Sequence, residues 1–317
     1  MEEIRPFVKW AGGKNSLIPQ LSEYYPNDLK EDRIDTYIEP FVGGGAVLID
    51  ILQKYNIKKA YAFDINQDLI NCYNVIKNNV EDLIKLLEKK EKNYKSFGSL
   101  DEKSKYYYEI RSEYNSYQLE NNLNVKRASE FIFLNKTCFN GLYRVNKNGL
   151  FNVPFNKAKN PTICDYDNLR KLSILIQKVT FICGNYFESE KYINQNTFVY
   201  FDPPYRPLNT TSGFTSYTKE DFNDEDQIKL AKFYSKIDND NVKLMLSNSN
   251  PKNTNKDDNF FEDIYNGFYI NEIYAKRMIN SKANGRGEIS ELLITNYEGQ
   301  EEWVDQKNSI MKVMISN

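Results

Sequence analysis

The chain is predicted to fold as an α/β unit: a mostly parallel sheet covered by helices on both faces, interrupted by a helical insertion. Three observations predict it. Short apolar runs of strand length alternate with segments of helical period in the first 80 or so residues and again after about residue 176. A glycine turn, Gly43-Gly44-Gly45, lies between the first such strand and the first such helix. Between them, from about residue 80 to 175, the alternation stops, and a stretch rich in tyrosine and charge reads as helical.

Taken in order, Asp35 to Pro40 reads as the first strand and Ala46 to Tyr55 as the helix after it. Lys59 to Phe63 is the second strand, and Gln67 to Lys92 has a strong helical pattern. After the insertion, Lys178 to Cys183 and Asn196 to Phe201 are strands again, followed by Asn241 to Leu246, Phe268 to Ile273 and Glu291 to Thr295. Little helix separates the last strands, so that end of the sheet is expected to be antiparallel. Ser247 to Asn259, rich in Asn, Lys and Asp, reads as a surface loop. Leu208 to Tyr217 is small and polar with embedded aromatics, a composition that suits a flap beside a site.

Composition narrows the chemistry. The 317 residues are 40% hydrophobic and 27% charged, an ordinary globular balance. The start, Met1-Glu2-Glu3-Ile4-Arg5, is charged, and no apolar core of a signal peptide follows it. No apolar run is long enough to span a bilayer, so a soluble, cytoplasmic protein without membrane association is expected. Cys72, Cys138, Cys164 and Cys183 are scattered and read as free, buried thiols. Histidine is absent, which excludes a Ser-His-Asp or Cys-His relay and any His-ligated metal. Net charge is −2, yet Lys126 to Asn160 carries seven basic residues against one acidic residue. That stretch is either a solvated basic face or a surface for a polyanion.

Three motifs carry the functional reading. Phe41-Val42-Gly43-Gly44-Gly45 lets the backbone turn tightly and approach a ligand at a helix N-terminus. Asp64 ends the next strand, 19 residues after Gly45, where an acidic residue accepts hydrogen bonds from a ribose diol in nucleoside-binding sheets. This pattern names a nucleoside and leaves a nicotinamide cofactor open. Phe7 to Lys14 contains Gly12-Gly13-Lys14, but the earlier glycine of a phosphate loop is missing and Asn15 stands where Ser or Thr is needed, so ATP binding is disfavoured. Asp202-Pro203-Pro204-Tyr205 is the most informative. It places a carboxylate, a rigid carbonyl and a stacking face at the end of a strand. The exocyclic amine of a base is a poor nucleophile because its lone pair is delocalised into the ring. The Asp202 carboxylate and the Pro203 carbonyl can accept both amino hydrogens and turn the lone pair towards an electrophile. Tyr205 can stack on the base, which must leave its duplex to arrive there. A methyl sulfonium is an electrophile that needs neither metal nor histidine.

At these residues the chain resembles a Dam-type DNA adenine-N6 methyltransferase, of the D12 class in the alpha group of amino-methyltransferases. Six blocks carry the resemblance in family order: Phe7 to Lys14, Glu39 to Gly45, Phe139 to Arg144, Gly149 to Pro154, Asp202 to Tyr205 and Arg286 to Leu293. The resemblance implies a Rossmann-like sheet of the S-adenosylmethionine-dependent methyltransferases. Residues 1–80 plus 176–317 would form the catalytic domain and 81–175 an inserted, mainly helical target-recognition domain with a hairpin near 139–155. It implies catalytic roles for Asp202, Pro203 and Tyr205. It implies S-adenosylmethionine contacts from Trp10, Ala11, Gly12, Lys14, Phe41, Gly43, Gly45, Asp64, Tyr186 and Asp202. Among these, Asp64 would take the ribose hydroxyls and Tyr186 the adenine edge.

For the substrate, the resemblance implies double-stranded DNA; with histidine absent, no metal is expected. Phe139, where tyrosine is more usual, and Asn140 match the residues that wedge into the base stack. Arg144 matches a guanine reader in the major groove, Lys9 the reader of the other guanine, and Leu142 and Pro154 the contacts to a thymine methyl. All four match, so GATC is the expected site, and a restriction endonuclease acting on the same site is an expected partner. Two alternatives stand beside this reading. One is an RNA adenine-N6 methyltransferase, since Asp-Pro-Pro-Tyr also occurs there; the hairpin blocks favour DNA, whose major groove admits side chains. The other is a non-catalytic DNA-binding relative, against which the intact Asp64, Asp202 and Tyr205 argue.

Overall fold

A computed structural model describes residues 3–119, 123–207, 222–275 and 289–299. Among these residues seven strands form one sheet: β1 (Thr36–Glu39), β2 (Lys59–Asp64), β3 (Val179–Cys183), β4 (Thr197–Phe201), β5 (Val242–Ser249), β6 (Tyr269–Ala275) and β7 (Ile289–Thr295). Their spatial order is β3-β2-β1-β4-β5-β7-β6. The pairings β1/β2, β1/β4, β2/β3 and β4/β5 are parallel, whereas β7 runs antiparallel to both β5 and β6. The helices are α1 (Ile18–Leu21), α2 (Asn27–Lys30), α3 (Ala46–Lys54), α4 (Gln67–Ser96), α5 (Leu100–Asn115), α6 (Val125–Thr137), α7 (Tyr166–Leu175), α8 (Asp224–Ile237) and α9 (Phe260–Ile264). This is the mixed α/β architecture of an S-adenosylmethionine-dependent methyltransferase sheet, with the antiparallel end expected from the sequence.

Both faces of the sheet are apolar because successive strand side chains alternate. In β4, Phe198 and Tyr200 enter one buried cluster, with residues of α3, α4 and α7. Val199 and Phe201 enter the other, with α8 and α9. Chain order reverses between β1 and β4, which lie side by side while their crossovers leave in opposite directions. A crevice therefore opens at their carboxyl ends, where ligands bind in open α/β sheets.

The middle of the chain is helical. The expected division near residue 80 falls inside α4, which leaves helical geometry at Asn79 and then continues. Its buried residues, together with those of α5 and α6, extend the first cluster without a gap. The hairpin region is held by antiparallel bridges at Cys138/Phe155 and Val145/Phe151, with a turn at Asn146–Gly149.

Three sequence expectations change. Polar composition suggested a loop from Ser247, but β5 continues through Ser249 because each polar side chain there finds a partner: Ser247 bonds Asp202, Asn248 bonds Gln227 and Ser249 bonds the Arg206 carbonyl. The basic run is not a uniform face. Arg127 is only 7% exposed and clamps Asp68 of α4, and Lys126 pairs with Glu113. Three cysteines are free and buried, but Cys183, at the end of β3, is free and exposed. The strand from Lys59 ends at Asp64, where the sequence placed that residue, in register with Cys183. The flap expected at 208–217 and the block residues 286–288 lie outside the described residues. Among the described residues no helix is long and apolar enough to cross a membrane.

Candidate active site

A cleft of about 1560 Å³ opens at the carboxyl ends of β1, β2 and β4. Its lining includes the loop after β1 (Phe41 to Gly45), the end of β2 (Asp64), the loop after β3 (Tyr186) and the loop after β4 (Asp202 to Tyr205). The N-terminal segment adds Lys9, Trp10, Ala11, Gly12 and Lys14, and the hairpin adds Asn140. Every residue expected to act on the cofactor or in catalysis therefore lines one cavity. Of the expected DNA contacts only Lys9 and Asn140 line it; Phe139, Leu142, Arg144 and Pro154 do not.

Asp202 leaves β4 into a braced loop. Its Oδ1 pairs with Lys14 Nζ at 2.7 Å and accepts from Ser247 Oγ at 3.1 Å. Lys14 is 3% exposed, bonds the Gly12 carbonyl and lies 4.5 Å from the centre of the Tyr205 ring. Burial pushes the Asp202 carboxyl up, and the Lys14 ammonium and Ser247 hydroxyl pull it back in part. The Tyr205 hydroxyl donates to Glu291 of β7 at 2.5 Å. Gln227 bonds the Pro204 carbonyl and Asn248 accepts from the Arg206 N–H, so the two prolines sit between fixed points. Behind them Glu39 is buried, bonded by the Tyr37 hydroxyl at 2.7 Å. Burial pushes its carboxyl well up, and the neighbouring Asp202 charge adds to that.

At the other end Asp64 accepts from the N–H groups of Gly43 (3.1 Å) and Asn66 (2.8 Å). Burial raises its carboxyl to about 6, with these two N–H groups opposing. Each carboxylate oxygen has two acceptor directions, so both hydroxyls of a ribose diol can still be received. Phe41 stacks on Tyr186 at 5.4 Å, and Phe222, Phe187 and Phe233 surround that pair edge-on. A carboxylate next to an aromatic wall suits the ribose and base of a nucleoside. The glycine loop is also used up by packing. Gly43 has φ +45°, and a Cβ there would meet the Trp10 indole at 2.8 Å; Gly45 has φ +71°, and a Cβ would meet the Tyr73 hydroxyl at 2.4 Å.

The expected DNA contacts form a second cluster beside the cleft. Asn135 bonds both the N–H and the carbonyl of Lys9 and also the Gly141 carbonyl, and Gly141 (φ +65°) lies directly against the Lys9 side chain. Lys9 and the hairpin start are thus one rigid unit. Phe139 is 51% exposed and Asn140 is left-handed at φ +55°. Arg144 is held by its Nε on Asn152 at 2.7 Å, across the hairpin; Leu142 is half-buried and Pro154 exposed. Sequence reasoning gave no individual role to Ser247, Gln227, Glu39 or Glu291. Ser247 and Gln227 carry no local motif; Glu39 and Glu291 belonged to blocks already noted.

A family model described as D12 class N6 adenine-specific DNA methyltransferase matches residues 10–279. A Type II methyltransferase, M.MjaIII, of Methanocaldococcus jannaschii is 53% identical over 93% of this chain and 100% of its own length. A Type II methyltransferase of Lactococcus lactis subsp. cremoris is 36% identical over 93% and 96%. A DNA adenine methylase of Vibrio cholerae is 33% identical over 92% and 96%.

Proposed function

The chain belongs to the D12 class of N6 adenine-specific DNA methyltransferases, and from that premise we propose that it methylates a flipped-out adenine in GATC with S-adenosylmethionine as donor. The observation that carries the chemistry is the orientation of Asp202. Both contacts from described residues engage Oδ1, which leaves Oδ2, with the Pro203 carbonyl, to accept the two amino hydrogens of the target. This turns the nitrogen lone pair out of the base plane and stabilises positive charge developing on nitrogen.

S-adenosylmethionine supplies an electrophilic methyl group. Asp64 and the Phe41–Tyr186 wall suit its ribose and adenine, and the Gly43–Gly45 loop lines that end of the cleft. Tyr205 offers a ring face to the target base, and its bond to Glu291 fixes that ring. Phe139 and Asn140, exposed beside the cleft, are suited to fill the gap the base leaves in the duplex.

Lys9, Leu142, Arg144 and Pro154 support GATC by their match to the family's readers, and the relative from Vibrio cholerae bears the name DNA adenine methylase. Two relatives are named Type II methyltransferases, which supports a cognate restriction endonuclease as partner. The test is incubation with labelled S-adenosylmethionine and duplexes carrying GATC or a scrambled site. Label confined to GATC, on adenine N6, is expected. Equal label on both duplexes would overturn the site, and label on ribosomal RNA but not DNA would overturn the substrate.

A further inference from the structure

Trp10 lies between two functions. One edge of its indole is packed against the glycine loop of the cleft: a Cβ on Gly43 would come within 2.8 Å of Cδ1 and 2.9 Å of Nε1, and one on Gly44 within 3.0 Å of the Trp10 Cβ. Its face stacks on Tyr143 (5.9 Å, 22°) and on Phe131 of α6 (6.4 Å, 29°). Tyr143 stands in the hairpin between Leu142 and Arg144, two of the expected base readers. It packs on Phe131 at 5.4 Å and Phe151 at 5.9 Å, and its hydroxyl lies beside Tyr114 and Asn66. Asn66 donates its N–H to Asp64, caps α4 and lines the cleft. Tyr143 therefore reaches the cofactor end of the cleft through Trp10, which stacks on it and packs on the glycine loop.

We propose that Tyr143 is a positioning residue that couples occupancy of the cofactor end of the cleft to base reading by the hairpin. The inference rests on the DNA and cofactor reading above. Packed aromatic contacts of this kind have discrete arrangements and do not deform continuously. A ligand that settles the glycine loop settles Trp10, and Trp10 then holds Tyr143 and its two neighbours in one register. Such coupling is reciprocal: the factor by which cofactor tightens DNA equals the factor by which DNA tightens cofactor. A residue that only filled the core would change stability and leave that factor alone.

The test uses the full chain, with S-adenosylhomocysteine as the unreactive cofactor probe. Dissociation constants for GATC and scrambled duplexes are measured with and without it, and those for the probe with and without DNA, in wild type, Tyr143→Phe and Tyr143→Leu. In wild type the probe is expected to tighten GATC by on the order of 10-fold, with the same factor in reverse. Tyr143→Phe keeps the ring and should keep the factor. Tyr143→Leu should bring it below about 2-fold while binding of the probe alone stays unchanged, since the factor measures coupling and not affinity. Tyr143→Met serves if leucine lowers the melting temperature markedly. A wild-type factor near one, a factor retained in both aliphatic variants, or loss of probe binding by itself would each overturn the proposal. A wild type that binds neither DNA nor probe would overturn the functional reading, and the coupling with it.

Discussion

Replacing Asp202 by asparagine changes one carboxylate to an amide of the same shape and leaves the Lys14 ammonium without its partner at 2.7 Å. At an effective dielectric of about 20, two charges at that distance attract by roughly 6 kcal/mol before desolvation is counted. Lys14 is 3% exposed, so most of that cost of leaving water has already been met in the fold. Removing one partner of a buried pair costs about 3–5 kcal/mol because the other charge stays behind. Glu39 and Glu291 also attract Lys14, which favours the lower end of that range. Lys14→Met should cost less, since the side chain of Asp202 is 20% exposed and regains some solvation. The double variant should recover about 1–3 kcal/mol relative to the sum of the single losses. Urea midpoints read at constant m measure all three. In the labelling assay Asp202→Asn should lower turnover on the order of 10²- to 10³-fold, the scale of one lost transition-state hydrogen-bonding group. Additive stability losses, or an Asp202→Asn protein within about 0.5 kcal/mol of wild type, would refute the buried-pair reasoning.

Three further outcomes are expected. Gly45→Ala forces an L residue to φ +71° and sets its Cβ against the Tyr73 hydroxyl, for about 1–2 kcal/mol of backbone strain plus about 1–3 of overpacking; thermal melts should show the loss, and adding Tyr73→Phe should return part of the overpacking share. Burial raises the Asp64 carboxyl to about 6, so titration of S-adenosylmethionine affinity should be flat above about pH 7 and fall as Asp64 protonates below about 6, and Asp64→Asn should abolish that dependence. The folded-state value lies above the ordinary 3.8, so between about 4 and 6 the folded state binds more protons and this group's contribution to stability increases as pH falls; unfolding driven by Asp64 therefore does not explain the lost affinity. Arg144→Ala should relax discrimination at one guanine by about 1–3 kcal/mol in competition binding across single-base variants, whereas uniform weakening would mark it as a phosphate contact.

The sequence by itself determined the sheet and the placement of the cleft residues. Strand-length apolar runs must be buried on both faces, and a glycine turn, an aspartate and Asp-Pro-Pro-Tyr at strand ends must collect at the carboxyl edge, because parallel strands all point that way. Side-chain partnerships across the sheet were decided only by the tertiary structure. The brace around Asp202 to Tyr205 comes from Ser247, Gln227 and Glu291, 45, 25 and 89 residues after Asp202. Ser247 looked like the start of a loop because polar residues rarely end a buried strand unless each is paired. Arg127 counted as one more positive charge in a basic run until folding set it against Asp68, 59 residues away. The same holds for Trp10, whose match to a cofactor contact was readable but whose stacking on Tyr143 was not. Backbone periodicity and strand-end position are local and survive in the sequence; ion pairs, stacking partners and desolvation depend on which distant segments close over a residue.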